Sequence, residues 1–322
     1  MNFTKISVAL LTILLFSVSI FSQPADEKGK KKQKKEEPKV RTVTIPISIL
    51  SKEELKKRQN EEFIEAGDIF VKEDGEEQTI LSIRSVSESP LALAILVQDD
   101  LTSTFNLELK DLAEFIKRMP KGSRVMVAYM RNGSLNVRQK FTEDLEKAAK
   151  ALRVVTGSSA TAPNNSYVQI DEALERFDSL PLGRRAIMLI SDGLDNTNGF
   201  SLSTQSNDLD RAILKAQRKS VAVYSIYSSA SQTESGSSSV ILTAQGMLNQ
   251  LSDETGGRAF FSGTSSPVSL LPFFKEVNQT LNRQFAITYL STHMKKGYHK
   301  IKIYSTNPEI KIEHPKGYVY KK

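Results

Sequence analysis

Two uninterrupted apolar runs constrain the fold of this chain more than any other feature. The first covers residues 91–97 and is followed by the string Gln98-Asp99-Asp100-Leu101-Thr102-Ser103-Thr104, and the second covers residues 186–190 and is followed by Ser191-Asp192-Gly193. Apolar runs without alternation are typical of parallel strands that are covered by helices on both faces, and open parallel sheets bind ligands at the carboxyl ends of their strands. The sequence therefore predicts one shared site at a sheet edge, where carboxylates and hydroxyls together favour a hard cation.

Helical and strand patterns alternate from residue 91 onward. Apolar residues at helical spacing predict helices over residues 112–119, 145–152, 170–177, 209–216 and 270–281. Further buried strands are predicted over 125–130 and 221–227, and Asn132-Gly133 predicts a hairpin to a strand over 135–137. This order predicts an α/β fold with a doubly wound, mostly parallel, Rossmann-like sheet.

Both flanks of this region have β-rich patterns. A half-buried strand is predicted over residues 42–49, a short polar helix over 51–60, and two strand segments around the tight-turn pair Asp74-Gly75. After residue 284, strands are predicted over residues 285–290, 299–304, 310–312 and 318–320. We expect the segments 40–88 and 284–322 to form one accessory β module beside a core domain of residues 89–283.

The two strand ends resemble the metal-ion-dependent adhesion site of the von Willebrand factor type A domain. That family uses Asp-x-Ser-x-Ser, a distant Thr and an Asp before Gly, which Ser191-Asp192-Gly193 matches. The string Leu251-Ser252-Asp253-Glu254-Thr255-Gly256-Gly257 and the segments 283–289 and 317–318 extend the similarity to a secreted bacterial subfamily of type A-related proteins. The resemblance covers residues 40–322 and implies a type A fold for the core domain.

The first loop departs from the family pattern, so that its register stays open. With Asp100 as the first ligand, Thr102 and Thr104 supply the hydroxyls of an Asp-x-Thr-x-Thr version, whereas with Asp99 first, Leu101 occupies a hydroxyl position. A third register would place Gln98 where the family has its carboxylate. The metal ligands that the resemblance implies are Asp99, Asp100, Thr102, Thr104, Ser166 and Asp192.

Ser166 is included because it directly precedes a predicted helix, although residues 156–166 lack the family's glycine-threonine signature. Each ligand also has a purely structural interpretation. Asp99 or Asp100 can cap the following helix, Ser166 is predicted to be an N-cap, and Asp192 and Asp195 are typical turn residues.

The resemblance implies a divalent cation, Mg²⁺ or else Mn²⁺ or Ca²⁺, with one coordination position left for an acidic side chain of a protein partner. The predicted function is therefore protein binding in adhesion or assembly. The alternative is a metal-independent interaction scaffold with a degenerate site. A metal-dependent phosphoesterase is a third interpretation, which the sequence disfavours: the three histidines, His293, His299 and His314, all lie near the end of the chain, outside any Ser/His/Asp, Cys/His or zinc-binding spacing. We therefore expect no enzyme activity.

The amino terminus predicts export. Residues 1–22 have one lysine followed by an apolar segment, which is typical of a signal peptide, and residues 23–39 form a lysine-rich linker that is expected to be disordered. Much of the net charge of +7 comes from this linker, so that the charge does not predict nucleic-acid binding by the folded part. Cysteine is absent, which leaves no lipidation site to hold the chain on a membrane. We expect a periplasmic or extracellular protein with no stable membrane insertion after signal cleavage.

Overall fold

A six-stranded sheet forms the centre of the computed structural model. The structure describes residues 39–51, 69–85, 89–131, 133–156, 165–195, 206–230, 233, 237–264 and 267–321. The strands of this sheet are β4 (Ala92–Gln98), β5 (Arg124–Arg131), β6 (Ser134–Thr142), β7 (Arg185–Ser191), β8 (Ala222–Tyr227) and β9 (Ala259–Phe260). Their spatial order is β6-β5-β4-β7-β8-β9, and all neighbours are parallel except the β5–β6 hairpin. This is the doubly wound arrangement that the sequence predicts, with the order of strands reversing between β4 and β7.

Within the described ranges, six helices cover the two faces of this sheet. They are α1 (Leu109–Lys117), α2 (Leu145–Lys150), α3 (Ser166–Glu175), α4 (Asn207–Lys219), α5 (Ser238–Thr255) and α6 (Leu271–Asn282). One face of the central strand β4 packs in a core with α1, α2 and α6, and the other face packs in a core with α3, α4 and α5. All seven residues of β4 and all seven of β7 are buried. Burial on both faces explains why the two strands show no alternation in sequence.

A second, antiparallel sheet combines strands from both flanks of the core domain. Its strands are β1 (Arg41–Ser51), β2 (Ile69–Glu73), β3 (Glu76–Arg84), β10 (Gln284–Ser291), β11 (Gly297–Ser305), β12 (Ile310–Glu313) and β13 (Gly317–Tyr320). Their order is β12-β1-β10-β3-β2-β11-β13, so that strands of the two flanks are interleaved. The accessory module expected from the sequence is therefore one sheet, with an isoleucine-rich core of its own.

The turn between β2 and β3 follows the sequence prediction. Asp74 and Gly75 form the two-residue loop, with φ angles of 50° and 93°. A two-residue hairpin turn with positive φ at both positions is the type that Asp-Gly favours. The Asp74 carboxylate accepts a hydrogen bond from the Lys300 backbone N–H at 2.8 Å, which fixes the turn against β11.

Buried polar contacts join the antiparallel sheet to the core domain. Arg184 is 1 % exposed, and its guanidinium donates hydrogen bonds to the backbone carbonyls of Gln284 at 2.6 Å, of Ser89 at 3.2 Å and of Leu281. Burial lowers the pKa of Arg184 to about 10, which leaves the side chain charged at neutral pH. This arginine therefore links the beginning of β7 to the point where the chain leaves the core domain.

Several predicted segments lie outside the described residues. These are the signal peptide, almost all of the charged linker and most of the polar helix predicted over residues 51–60. Across the described part of the chain, the structure contains no helix long and apolar enough to cross a bilayer.

Candidate functional site

The candidate site lies where β4 and β7 end side by side. Val97 is paired with Ile190 in the parallel register of these strands, so that the next residues, Gln98 and Ser191, are neighbours at the carboxyl edge. The helix that follows β4, α1, packs on one face of the sheet, and the helix that follows β7, α4, packs on the other. Doubly wound sheets leave a crevice for ligands between two neighbouring strands of this kind. The polar residues after the two apolar runs thus share one edge, as the sequence predicts.

Gln98 is the central residue of this site. Its side-chain oxygen accepts hydrogen bonds from the Ser191 hydroxyl at 2.6 Å and from the Asp192 backbone N–H at 2.9 Å, and the Ser166 hydroxyl lies 3.5 Å away. The backbone N–H can only donate, so the carbonyl oxygen of the amide must face Ser191 and Asp192. Gln98 therefore occupies the position at the end of β4 where the family has its first carboxylate. This corresponds to the third register considered for the first loop.

Ser166 reaches this group from the first turn of α3. Its hydroxyl is 2.9 Å from that of Ser191, and the side chain is fully buried. The prediction that Ser166 caps the helix is wrong, because the Asn165 side chain accepts hydrogen bonds from the backbone N–H groups of Tyr167 and Val168. With the cap supplied by Asn165, the serine hydroxyl is available to the strand ends.

Asp192 is almost completely buried beside Gln98. One carboxylate oxygen accepts a hydrogen bond from the Leu194 backbone N–H at 3.1 Å, as in the turn role considered for it. Burial, together with the negative charge of Asp100, raises the pKa of Asp192 to about 7. The carboxyl group is thus held where a second negative charge opposes its own ionisation.

Asp100 is the second carboxylate of the site. Burial raises its pKa as well. Thr102 and Thr104 follow, with their hydroxyls 2.7 Å apart at the beginning of a 3₁₀ turn over residues 103–108. In the register that begins with Gln98, Asp100 and Thr102 occupy the two hydroxyl positions of the adhesion motif, and Thr104 lies beyond it.

Asp99 belongs to a different group of residues. Its two carboxylate oxygens accept hydrogen bonds from the Arg153 guanidinium at 2.7 and 2.9 Å, and the Thr156 hydroxyl lies 3.2 Å away. Arg131 is a second cation at 3.6 Å. The structure thus places Asp99 in a buried bidentate ion pair, apart from the hydrogen bonds that join Gln98, Ser166, Ser191 and Asp192.

The kinds of ligand atom present at this site, carboxylate and hydroxyl oxygens, suit a hard divalent cation. Asp100 and Asp192 supply two carboxylates, and Thr102 and Ser166 supply hydroxyl oxygens, which are the groups that Mg²⁺ and Ca²⁺ prefer. The orientation of Gln98 reduces the fit, since its carbonyl oxygen is already occupied by Ser191 and Asp192. Ser191 is an additional member of this group that is absent from the predicted ligands, although it directly precedes Asp192 in the matched motif.

Comparison with known proteins gives distant similarities only. No protein-family model matches the sequence, and no curated protein matches it either. Among solved structures, the conserved hypothetical protein BatB from Bacteroides thetaiotaomicron has a TM-score of 0.43 at 11% identity, covering 59% of this chain and 97% of that one. A von Willebrand factor type A structure from Catenulispora acidiphila has a TM-score of 0.43 at 12% identity, covering 79% and 74%.

An aerotolerance-related membrane protein from Bacteroides fragilis has a TM-score of 0.41 at 12% identity, covering 60% of this chain and 98% of that one. These TM-scores are too low to support an argument about fold or function. The assignment of a doubly wound α/β fold rests instead on the strand order and on the helices that cover both faces of the parallel sheet.

Proposed function

We propose that this chain is an exported, non-enzymatic protein-binding module of the type A kind, whose ligand binds at the carboxyl edge of the six-stranded sheet with the help of a divalent cation. The observation that supports the proposal is the polar group at the carboxyl edge of β4 and β7, where the Ser166 hydroxyl lies 2.9 Å from that of Ser191 and the buried Asp192, whose pKa is raised in part by the charge of Asp100, follows directly. Two adjacent carboxylates held in a buried environment are strongly stabilised by a cation.

The proposed cation would be held by Asp100, Thr102, Ser166 and Asp192. Two carboxylates neutralise a divalent ion but do not complete six-fold oxygen coordination. When bound, the ion would accept a further oxygen ligand, such as a carboxylate from an acidic side chain of the partner. Binding in adhesion or assembly would then depend on the metal.

A metal-independent scaffold is the second candidate, and the amide of Gln98 favours it. Where the type A family has a carboxylate at the strand end, this chain has a neutral group whose oxygen is engaged by Ser191 and Asp192. The amide nitrogen therefore faces away from these donors and offers protons rather than lone pairs. In this alternative, partners bind the same edge of the sheet without an ion.

Thermal melting of the full chain in EDTA and in Mg²⁺ or Mn²⁺ separates the two candidates. An ion at a hundredfold its dissociation constant adds about 2.7 kcal/mol to the free energy of unfolding, which corresponds to a rise in Tm of roughly 5–10 °C for a domain of this size. The test variant is Asp192→Asn, which keeps an oxygen acceptor for the Leu194 N–H. The control is Asp253→Asn, since the Asp253 side chain is 62% exposed at the end of α5.

The cation-dependent proposal predicts a rise in Tm for the wild type and for Asp253→Asn, and none for Asp192→Asn. The same three proteins, immobilised, are then used to capture partners in Mg²⁺ and in EDTA. Capture that requires Mg²⁺ and Asp192 supports cation-assisted binding. Equal melting in EDTA and Mg²⁺ contradicts it, and capture that persists in EDTA then assigns the metal-independent scaffold.

A further inference from the structure

A second polar cluster lies in the antiparallel sheet, away from the strand ends of the core domain. Glu73 is the last residue of β2, Asp74 follows it in the turn, and His299 lies on the neighbouring strand β11. His293, in the segment between β10 and β11, completes the group, with its ring centroid 5.8 Å from that of His299. The antiparallel pairing of β2 with β11 thus brings two carboxylates and two imidazoles together.

The contacts of His299 determine the state of its ring. Nε2 lies 2.7 Å from the backbone carbonyl oxygen of Lys295, which can only accept, so this nitrogen carries a proton. The other nitrogen, Nδ1, lies 2.8 Å from an Asp74 carboxylate oxygen and 3.5 Å from one of Glu73. A lone pair on Nδ1 would face two acceptors, so this nitrogen requires either a second proton or a metal cation.

Glu73 is the buried carboxylate of this cluster. Its side chain is completely buried, and Oε1 accepts hydrogen bonds from the Tyr318 hydroxyl at 2.7 Å and the Ser291 hydroxyl at 2.9 Å. Oε2 has no hydrogen-bond partner among the described residues. Arg41 is 3.5 Å from Oε1 and supplies one positive charge. The distance from His299 Nδ1 runs to Oε1, so a cation in this cluster would be bound by Oε1 and would offset the cost of the buried negative charge.

The spacing of these atoms suits tetrahedral coordination. Zinc bonds of about 2.0–2.1 Å to nitrogen and oxygen place neighbouring ligand atoms roughly 3.3 Å apart. The distances between the His299 Nδ1 atom and the carboxylate oxygens of Asp74 and Glu73 are 2.8 and 3.5 Å. His293 Nδ1, which is buried without a hydrogen-bond partner among the described residues, lies 3.7 Å from the same Glu73 oxygen.

We propose that Glu73, Asp74 and His299 bind a zinc-class dication, with His293 at the fourth coordination position. Imidazole and carboxylate are ligands typical of zinc, and a backbone carbonyl that accepts the second N–H of the ligating histidine is a common supporting contact. The ion can enter from solvent, since the Asp74 side chain is 36% exposed. Bound zinc would tie the turn between β2 and β3 to β11 and so stabilise the interleaved sheet.

The test is zinc binding by the full chain after removal of metals with a chelator, measured by competition with a chromogenic zinc indicator. The main variant is Asp74→Asn, since Asn-Gly favours the same two-residue turn and keeps an acceptor for the Lys300 N–H. His299→Gln removes the imidazole ligand. His314→Gln is the control at the third histidine of the chain, and Asp192→Asn tests whether the ion occupies the edge of the parallel sheet instead.

With excess Mg²⁺ present to fill the edge of the parallel sheet, we expect one zinc ion per chain, at least tenfold weaker binding in Asp74→Asn and His299→Gln, and unchanged binding in His314→Gln. A Co²⁺-loaded chain should also show the visible absorption of tetrahedral cobalt, lost in Asp74→Asn. Absence of zinc binding, or equal binding by all variants, would overturn the proposal. Loss of binding in Asp192→Asn alone would assign the ion to the other site.

Discussion

At the scale of single residues, the strand end at Gln98 decides what the candidate site offers to a ligand. Three consecutive polar residues follow the apolar run, and the sequence alone does not determine which of them faces Ser191. The answer depends on where the pairing of β4 with β7 ends and on a partner for Asp99 that lies 54 residues away, Arg153. The two apolar runs predict that a site exists at this edge of the sheet. Which residue of the first loop faces Ser191 is determined by tertiary contacts that the sequence alone does not show.

Gln98→Glu should restore a carboxylate at this position with little change in shape. Without cations, three acidic groups would then be close together in a buried environment, and we expect a loss of about 2 kcal/mol or more in the free energy of unfolding. With Mg²⁺ or Mn²⁺, this loss should be recovered, so that the rise in Tm on adding the ion is larger than for the wild type. Calorimetric melting in EDTA and in each ion measures both effects.

Gln139→Glu is the matched control, because the Gln139 side chain makes only an exposed hydrogen bond to the backbone on the edge strand β6. It should melt like the wild type with and without the ions. If Gln98→Glu also melts like the wild type in EDTA, then Asp100 and Asp192 are not close enough to repel a third carboxylate, and the proposed cation site is wrong.

At the scale of elements, periodicity predicts most helices and strands to within a few residues, but not what terminates them. The first turn of α3 begins one residue earlier than a Ser166 cap would place it, because the Asn165 side chain caps the helix instead. The helix α5 ends at Gly256, which has the left-handed conformation typical of a helix C-cap. The reason for the glycine that follows, Gly257, lies in β8, which sequence periodicity does not reveal.

Gly257→Ala should be strongly destabilising for a steric reason. A Cβ at this position would lie 2.0 Å from the backbone carbonyl oxygen of Val223, which is held in β8 by pairing with β7. Since the strand cannot move without breaking its hydrogen bonds, we expect a loss of about 2–3 kcal/mol in the free energy of unfolding, measured by urea denaturation.

Gly263→Ala provides the comparison. That glycine has a φ of +61°, but a Cβ there meets no atom within 4 Å, so that the cost is backbone strain of about 1 kcal/mol. Equal losses in the two variants would show that α5 can shift away from β8, contrary to the close packing described.

At the scale of the whole molecule, the two flanks of the chain form one sheet whose strands are interleaved, and the sequence patterns of the flanks do not predict this arrangement. Alternating residues predict that β1 and β10 are strands with one buried face, and a shared module was expected. The order β12-β1-β10-β3-β2-β11-β13 was not predictable, because alternation specifies a face and not a partner. Side-chain contacts such as that between Thr44 and Thr288 select the pairing only in three dimensions.

Deletion of residues 284–322 should therefore destroy the order of the amino-terminal strands. β1 would lose both neighbours, β10 and β12, and its isoleucines would lose the core that they share with β11. We expect amide hydrogens of residues 41–51 and 69–84 to exchange at nearly unprotected rates. Deletion of residues 317–322 alone removes only the edge strand β13, and protection of β1 should then persist. Retained protection of β1 in the longer deletion would contradict the interleaved sheet.

The interleaved sheet also determines the order in which the chain can fold during synthesis. β1 leaves the ribosome early, but Thr44 meets its partner Thr288 only after another 244 residues have been made. All strands of the parallel sheet have been synthesised before that point. Until β10 has been made, β1 to β3 remain with unpaired strand edges and exposed isoleucines. A transcript truncated shortly before residue 284 would release a chain with a complete parallel sheet and an open, aggregation-prone amino terminus.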